Sequence, residues 1–318
     1  MPRSLCPATP RRLTRLTAFT LIELLVVVAI IALLISILVP SLAAARQQAR
    51  GTICLSQLRV LGQGLNIYLN DNRDVLPPGR LPKLSGQSCD PYAVVYGRHK
   101  FRPTFLTMMS GAVGVPPFDD PQACKGVQDM HGEPGDQQNY SYRGYVCPSV
   151  PNWTDERNGS YGYNYQFLGN SRLLDDAVET SYKRWPVKIT SVKFPGRTVC
   201  VADGMGTAAS FAPLDRQPYD DDSKTEPARF GNEGFNLDPP RVDPVTGEMA
   251  DLPDYRSAAD PRHLGRAGTL WLDGHATAET LKSLGYELQS DGAVDLVGNN
   301  SQWSGDGRDV AWTTDFTY

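Results

Sequence analysis

Hydrophobic and polar positions divide the chain into three patterns. From Leu21 to Val39 every residue is apolar except Glu23 and Ser36. A helix rising roughly 1.5 Å per residue needs about 20 such residues to cross a hydrocarbon core of about 30 Å. Beyond Pro40 the apolar positions recur at three and four: Leu55, Leu58, Leu61, Leu65 and Tyr68 form one stripe, and Arg46, Gln47, Arg50, Gln57 and Asn66 stay off it. Pro40 lacks a backbone donor and is expected to kink the helix rather than end it. Gly51, Gly62 and Gly64 weaken the second half locally. Asn70-Asp71-Asn72 and then Pro77-Pro78-Gly79 stop it. The spacing thus predicts a helix over residues 19–70, with about 19–40 in lipid and the remainder laid by its apolar face on a globular head.

From Asp71 to the end the third pattern takes over, with short apolar runs between turn residues. Tyr92 to Tyr96 reads as a strand and Phe105 to Met109 as a short helix. Aromatic alternation in Tyr142 to Pro148 and Ser160 to Leu168 suits strands, as do Lys188 to Val192 and Arg197 to Ala202 around Phe194-Pro195-Gly196. Residues 115–140 read as surface loop, and 212–258, with Asp220-Asp221-Asp222, as a long surface excursion. Thr269 to Leu272 and His275 to Ala278 flank Asp273-Gly274, the strongest hairpin signal in the chain. A short helix is expected over 279–285. The aromatic tail, with Trp303, Trp312, Phe316 and Tyr318, fits no element. The fold class that follows is α+β: a long N-terminal helix on a mainly antiparallel β head, 71–318, with long loops.

Charge adds direction. Arg3, Arg11, Arg12 and Arg15 precede the apolar run, and no acidic residue precedes Glu23. Residues 1–18 therefore read as a basic leader that stays in the cytoplasm, with a single pass through the inner membrane and the head in the periplasm or outside the cell. The 31 basic and 35 acidic residues give a formal net charge of −4, and no basic stripe indicates nucleic acid. Two plainer readings of the same stretch are a Sec signal peptide cut after Ala43-Ala44-Ala45 and an uncleaved anchor. Six cysteines, Cys6, Cys54, Cys89, Cys124, Cys147 and Cys200, are widely spaced. Disulfides are permitted outside the cytoplasm, two bridges and one free thiol remaining after the leader; the pairing is open, and no C-x-x-C pair points to zinc.

Glu23 is what separates this run from a generic anchor, because a carboxylate in a bilayer costs about 2.5–3.5 kcal/mol on insertion scales and normally has a partner. Ala18 followed by Phe19-Thr20-Leu21-Ile22-Glu23 resembles the processing site of type IV prepilins and type II secretion pseudopilins. The resemblance covers the leader, the junction, the apolar helix and Pro40. It implies cleavage between Ala18 and Phe19 by a prepilin peptidase, methylation of the new N-terminus, and pairing of Glu23 with the amine of a neighbouring subunit. The chain departs from the family pattern in carrying Ala18 where Gly is usual.

His263, nine residues and then Asp273-Gly274 resembles the H-x9-D-G signature of a large, planctomycete-type group of prepilin-like proteins. The Cys54-to-Tyr68 helix, Val146-Cys147-Pro148-Ser149, Tyr161-Gly162-Tyr163-Asn164 and Val201-Ala202-Asp203 are also similar to that group. The signature has no established activity to carry over. Read as chemistry, His263, Asp273 and His275 are conceivable metal ligands or an acid–base pair. A turn Asp, however, normally serves its own backbone, and His263 is expected to tie a loop to the hairpin. No nucleophile elbow and no H-E-x-x-H occur, so no catalytic residue is assigned. Asp71/Asp74, Asp220–Asp222 and Asp306/Asp309 leave a calcium alternative, with the last pair ahead, and no metal or cofactor is assigned. Cys147 is expected in a disulfide or as a small buried apolar residue.

The expected function is that of a filament subunit, not an enzyme, whose partners are the prepilin peptidase, other pilin or pseudopilin subunits and the inner membrane. The alternative is a membrane-anchored extracytoplasmic binding domain that borrows the targeting signal, and a third reading is a metal-dependent enzyme using His263 and His275.

Overall fold

The computed structural model describes residues 20–79, 93–95, 98–100, 104–114, 144–150, 160–173, 182–184, 186–204, 206–216, 234–240 and 257–310. The expected leader, the Ala18–Phe19 junction, the 115–140 loop, Cys6, Cys89, Cys124, Trp312, Phe316 and Tyr318 lie outside the described residues.

Helix α1 runs from Leu21 to Asp71 and continues through Pro40. At its start Thr20 and Glu23 form a capping box: Thr20 N–H and Oγ1 both donate to Glu23 Oε2 at 2.8 Å, and Glu23 N–H donates to Thr20 Oγ1 at 3.2 Å. At its end Asn72 Nδ2 donates to the Tyr68 carbonyl, Asp74 N–H reaches back to the Leu69 carbonyl, and Arg73 and Asp74 take positive φ. That is a Schellman-type stop, built without glycine. The chain forms two compact units, Met1–Arg46 and Gln47–Tyr318. In the first, large apolar residues from Leu21 to Leu42 are exposed all round the helix, which is long and apolar enough to cross a membrane. In the second, Cys54, Leu58, Leu61, Leu65, Tyr68 and Leu69 are buried in the head's core. Leu55, expected as the first residue of the stripe, is only half-buried, and Cys54 takes its place.

The head's main sheet has the order β3 (Tyr161–Tyr163), β6 (Val199–Asp203), β7 (Ala267–Trp271) and β8 (Ala276–Glu279), every pairing antiparallel. Peripheral two-stranded ladders join β1 (Ala93–Val95) with β2 (Arg98–Lys100), β4 (Asn170–Leu173) with β5 (Tyr182–Arg184), and β9 (Tyr286–Leu288) with β10 (Val294–Gly298). Two short α-helices, α2 (Phe105–Met109) and α3 (Tyr165–Leu168), and 3₁₀ turns at Ile189–Ser191, Pro195–Arg197 and Gly206–Ser210 complete the described elements. β6 and β7 are buried along their whole length. One core joins α1 to Tyr161, Tyr163, Val201, Leu270 and Leu272; the other gathers Val199, Ala202, Trp271, Leu284, Tyr286 and Trp303. A sheet covered on both faces explains why neither β6 nor β7 shows strict alternation in sequence.

Several elements differ from expectation. Of the two aromatic runs, only Tyr161–Tyr163 is a strand; Tyr165–Leu168 is a helical turn, and the described part of the first run, 144–148, is turn. The 188–192 stretch keeps strand pairing only at Lys188, which bridges Val75 antiparallel through the Leu76 N–H and the Asp74 carbonyl, and then turns as a 3₁₀ helix over Ile189–Ser191. The 279–285 helix is a single turn, closed by Gly285 at φ +88. Within the 212–258 excursion, 234–240 is buried rather than superficial. Phe235 and Leu237 enclose Tyr163 from its free edge, with Tyr163 N–H donating to the Phe235 carbonyl at 2.9 Å and Leu237 N–H to the Tyr163 carbonyl at 2.8 Å. An edge strand with buried backbone groups needs such partners.

Trp303 is fully buried, donates Nε1–H to the Leu284 carbonyl at 2.8 Å and meets Tyr286 edge-on. Trp303→Ala is therefore expected to destabilise the head by about 3–5 kcal/mol, read as a lower unfolding midpoint for the full chain in detergent. Two of the helix glycines, Gly62 and Gly64, have a packing reason. A Cβ on Gly62 would lie 3.0 Å from the Gly274 carbonyl oxygen and 3.1 Å from its Cα. Gly62→Ala must push the backbone of the hairpin away, and we expect a net loss of about 1–3 kcal/mol despite the better helix propensity of Ala, checked by the same melting curves.

Candidate functional site: a buried Cys–Cys–Asp–His cluster beneath the helix

The hairpin that carries the signature differs in register from a two-residue Asp-Gly turn. Trp271 N–H donates to the His275 carbonyl, Gly274 N–H donates to the Trp271 carbonyl, and Gly274 alone in the loop has positive φ, +95. The loop is thus Leu272-Asp273-Gly274, a turn followed by a left-handed glycine. The shift sends Leu272 into the core, where its N–H reaches the Thr198 carbonyl. Asp273 serves its own turn as expected: Oδ1 accepts from His275 N–H at 3.1 Å and lies 2.5 Å from His275 Nδ1. His275 also stacks on Trp271, with ring centroids 5.6 Å apart.

His263 goes elsewhere. Its backbone closes a turn with Arg266 in both directions, immediately before β7. A Cβ on Gly51 would sit 3.5 Å from the His263 side chain, whereas Gly274 abuts Gly62. The helix rises about 16 Å between those two glycines at roughly 1.5 Å per residue. β7, five residues long, spans about 17 Å at roughly 3.4 Å per residue. The nine-residue spacing of the signature is the length of one strand laid along three turns of helix, plus its two end turns.

The His263 ring, 8% exposed, meets side chains brought from three other places. Nε2 lies 3.3 Å from Cys147 Sγ and 3.3 Å from Asp203 Oδ2, while Nδ1 lies 3.5 Å from Ser149 Oγ. Cys147 is bonded to Cys54 of α1. Each partner is held by backbone geometry. Cys147 N–H donates to Ser160 Oγ at 2.6 Å, and Ser160 Oγ–H donates to the Tyr145 carbonyl, which ties this turn to the start of β3. Tyr161, the first residue of β3, pairs with Asp203 at the end of β6. The 259–263 segment is anchored to that same end: Asp260 N–H donates to the Asp203 carbonyl, and the Arg262 guanidinium bridges Asp260 and the Gly204 carbonyl. Asp203 Oδ2 also accepts from Gly268 N–H at 2.6 Å, and Oδ1, fully buried, has no hydrogen-bond partner among the described residues.

Neighbouring titratable groups are inert. Burial first, and then the Asp203 charge, push the Tyr161 hydroxyl well above its usual range, so it stays protonated and donates to Gln57 Oε1 at 2.5 Å. Burial likewise raises the Cys200 thiol, which stays an unreactive apolar filler. In the tail pair that left a calcium alternative, Asp306 pairs with Lys193 at 2.5 Å and Asp309 accepts from Asn299 Nδ2 and Asn300 N–H. Both carboxylates are engaged by nitrogen donors that tie the tail to the head.

From the sequence, His263, Asp273 and His275 are conceivable ligands, with His263 expected to tie a loop to the hairpin; the structure separates His263 from the other two. Asp273 and His275 form one exposed pair; His263 belongs with Cys54, Cys147 and Asp203. Cys54, Cys147 and Asp203 each stood inside a motif similar to the same protein group, which was the available signal; nothing local says that those motifs converge. Comparison with protein-family models, with curated proteins and with solved structures finds no match for this chain.

Proposed function

We propose that the protein is a prepilin-like subunit, processed by a prepilin peptidase between Ala18 and Phe19 and assembled through its N-terminal helix into a type IV pilus-like or type II secretion pseudopilus-like filament. The observation that carries this reading is Glu23 at the mouth of an otherwise apolar span, five residues into a Phe19-Thr20-Leu21-Ile22-Glu23 run that follows a basic leader. The exposed apolar surface from Leu21 to Leu42 supports it, because such a surface is stable only in lipid or against other helices. In lipid the leader holds the chain in the inner membrane; after cleavage the helix exchanges lipid contacts for helix contacts, and Glu23 exchanges its Thr20 cap for the N-terminal amine of a neighbour. The head is carried outside the cytoplasm.

The test is the N-terminal residue and mass of protein extracted from the membrane of the native host. A chain that starts at methylated Phe19 is the expected result. A start at Arg46, after Ala43-Ala44-Ala45, gives a secreted protein and ends the filament reading. An intact Met1 leaves an anchored head that acts as a binding domain.

A further inference from the structure

We propose that Cys54, Cys147, Asp203 and His263 form a thiol-dependent site for a divalent metal ion of the zinc type, available when the Cys54–Cys147 bond is reduced. The four side chains offer one ligand atom each, all within 4.8 Å of one another, and all four residues are buried. A tetrahedral zinc ion with bonds of about 2.0 Å to N and O and about 2.3 Å to S places its ligand atoms about 3.3–3.8 Å apart. His263 Nε2 stands 3.3 Å from Cys147 Sγ and 3.3 Å from Asp203 Oδ2, so two edges of such a tetrahedron already have the length the ion requires.

Three further features set this cluster apart from a disulfide that happens to lie near a histidine. The donor set, two thiolates with an imidazole and a carboxylate, matches the borderline-soft character of zinc and disfavours calcium or magnesium. Ser149 Oγ lies at the far ring nitrogen of His263, and Gly268 N–H holds the carboxylate, which is the outer support that metal ligands characteristically have. Asp203 keeps a second oxygen fully buried with no hydrogen-bond partner among the described residues. A buried carboxylate with one oxygen lacking a donor is unfavourable, and a cation bound at Oδ2 offsets part of that penalty by neutralising the charge the two oxygens share.

The chemistry balances with a thiol reductant. Two thiol molecules pass two electrons and two protons to the Cys54–Cys147 bond, become a disulfide themselves and leave two cysteine thiols. The metal ion then displaces both thiol protons to solvent and binds the two thiolates. The cluster thereby has two closed states, each tying α1 to the 144–150 turn: a covalent one when oxidised and a coordinated one when reduced. The metal keeps the helix stapled under conditions that would otherwise release it.

The experiment uses the full chain in detergent, with Cys6, Cys89 and Cys124 replaced by serine so that they contribute no thiolate. The protein is reduced anaerobically with a phosphine, dialysed against zinc chloride and then metal-free buffer, and analysed for bound zinc; cobalt chloride replaces zinc in a parallel absorption measurement. The expected result is one zinc per reduced chain and none per oxidised chain, with a thiolate-to-cobalt charge-transfer band and the intense visible bands of four-coordinate cobalt. Ser149→Ala is expected to weaken zinc binding by roughly tenfold while leaving the stoichiometry intact, and His263→Ala to abolish it. Reduced protein that takes up no zinc overturns the proposal without recourse to any ligand variant. So does an octahedral cobalt spectrum lacking the charge-transfer band, or zinc bound equally by the oxidised chain.

Discussion

Glu23→Ala is expected to abolish filament assembly while leaving membrane insertion intact. Insertion depends on the apolar run from Leu21 to Val39, and removing its one charged residue makes that run more apolar. Assembly, on the proposed function, depends on what a carboxylate does once helices replace lipid. In the proposed filament the alanine variant leaves the amine of each adjacent subunit buried without a counter-charge, a loss of about 3–5 kcal/mol per contact, or more than a hundredfold in the equilibrium for adding a subunit. The capping box complicates this test and also sharpens it. Glu23 Oε2 accepts two hydrogen bonds from Thr20, so alanine also removes a helix cap worth about 1 kcal/mol. Glu23→Gln separates the two roles, because glutamine retains the capping oxygen and loses the charge. We expect Glu23→Gln to insert and to keep its helix but to give no sheared filaments. If Glu23→Gln assembles as well as the parent, the carboxylate acts as a cap and the charge-pairing mechanism is wrong.

The second large effect is on the head. Cys54 and Cys147 are 93 residues apart in the chain, and their bond closes that whole loop in the unfolded state. On the chain-entropy account, a loop of this length contributes about 4–5 kcal/mol. Cys147→Ser in oxidised protein, free of added metal, is expected to destabilise the head by about that amount and to lower its unfolding midpoint by about 7–10 °C, measured beside oxidised parent protein. Cys200→Ser probes a different quantity: that thiol is buried in the core and unbonded, so serine there inserts a hydroxyl among apolar groups and is expected to cost about 1–3 kcal/mol. Equal losses in the two variants would show that the Cys54–Cys147 bond adds nothing beyond its packing.

The two halves of α1 show why some features are legible in a sequence. A period of 3.6 is a local property, and the stripe from Leu58 to Tyr68 is the face that the head buries. The helix stop at Asn72 was legible for the same reason, since the polar and proline residues that end it are neighbours in the chain. The hairpin at Asp273-Gly274 was legible as a turn but not in its register: whether Leu272 belongs to the loop or to the core is decided by the Thr198 carbonyl, which lies on another strand. The runs Arg197 to Ala202 and Thr269 to Leu272 were legible as strands, but not their burial on both faces, and the run Lys188 to Val192 keeps strand pairing only where Lys188 meets Val75, a residue more than a hundred positions away.

What the sequence by itself determined is the part of this protein whose physics is local: a span apolar enough for lipid, a basic flank before it, a carboxylate at its mouth, and an amphipathic continuation that stops after Asp71. The tertiary structure alone decided where His263 points. Residue types mark Cys54, Cys147, Asp203 and His263 as chemically able, but they come from a helix, a turn, a strand end and a pre-strand loop far apart along the chain. Their meeting depends on the pairing of β3 with β6, on the anchoring of 259–263 to Gly204, and on the match between one strand's length and the helical rise from Gly51 to Gly62. Those are long-range matches of length and register, and no window of sequence contains both sides of any of them.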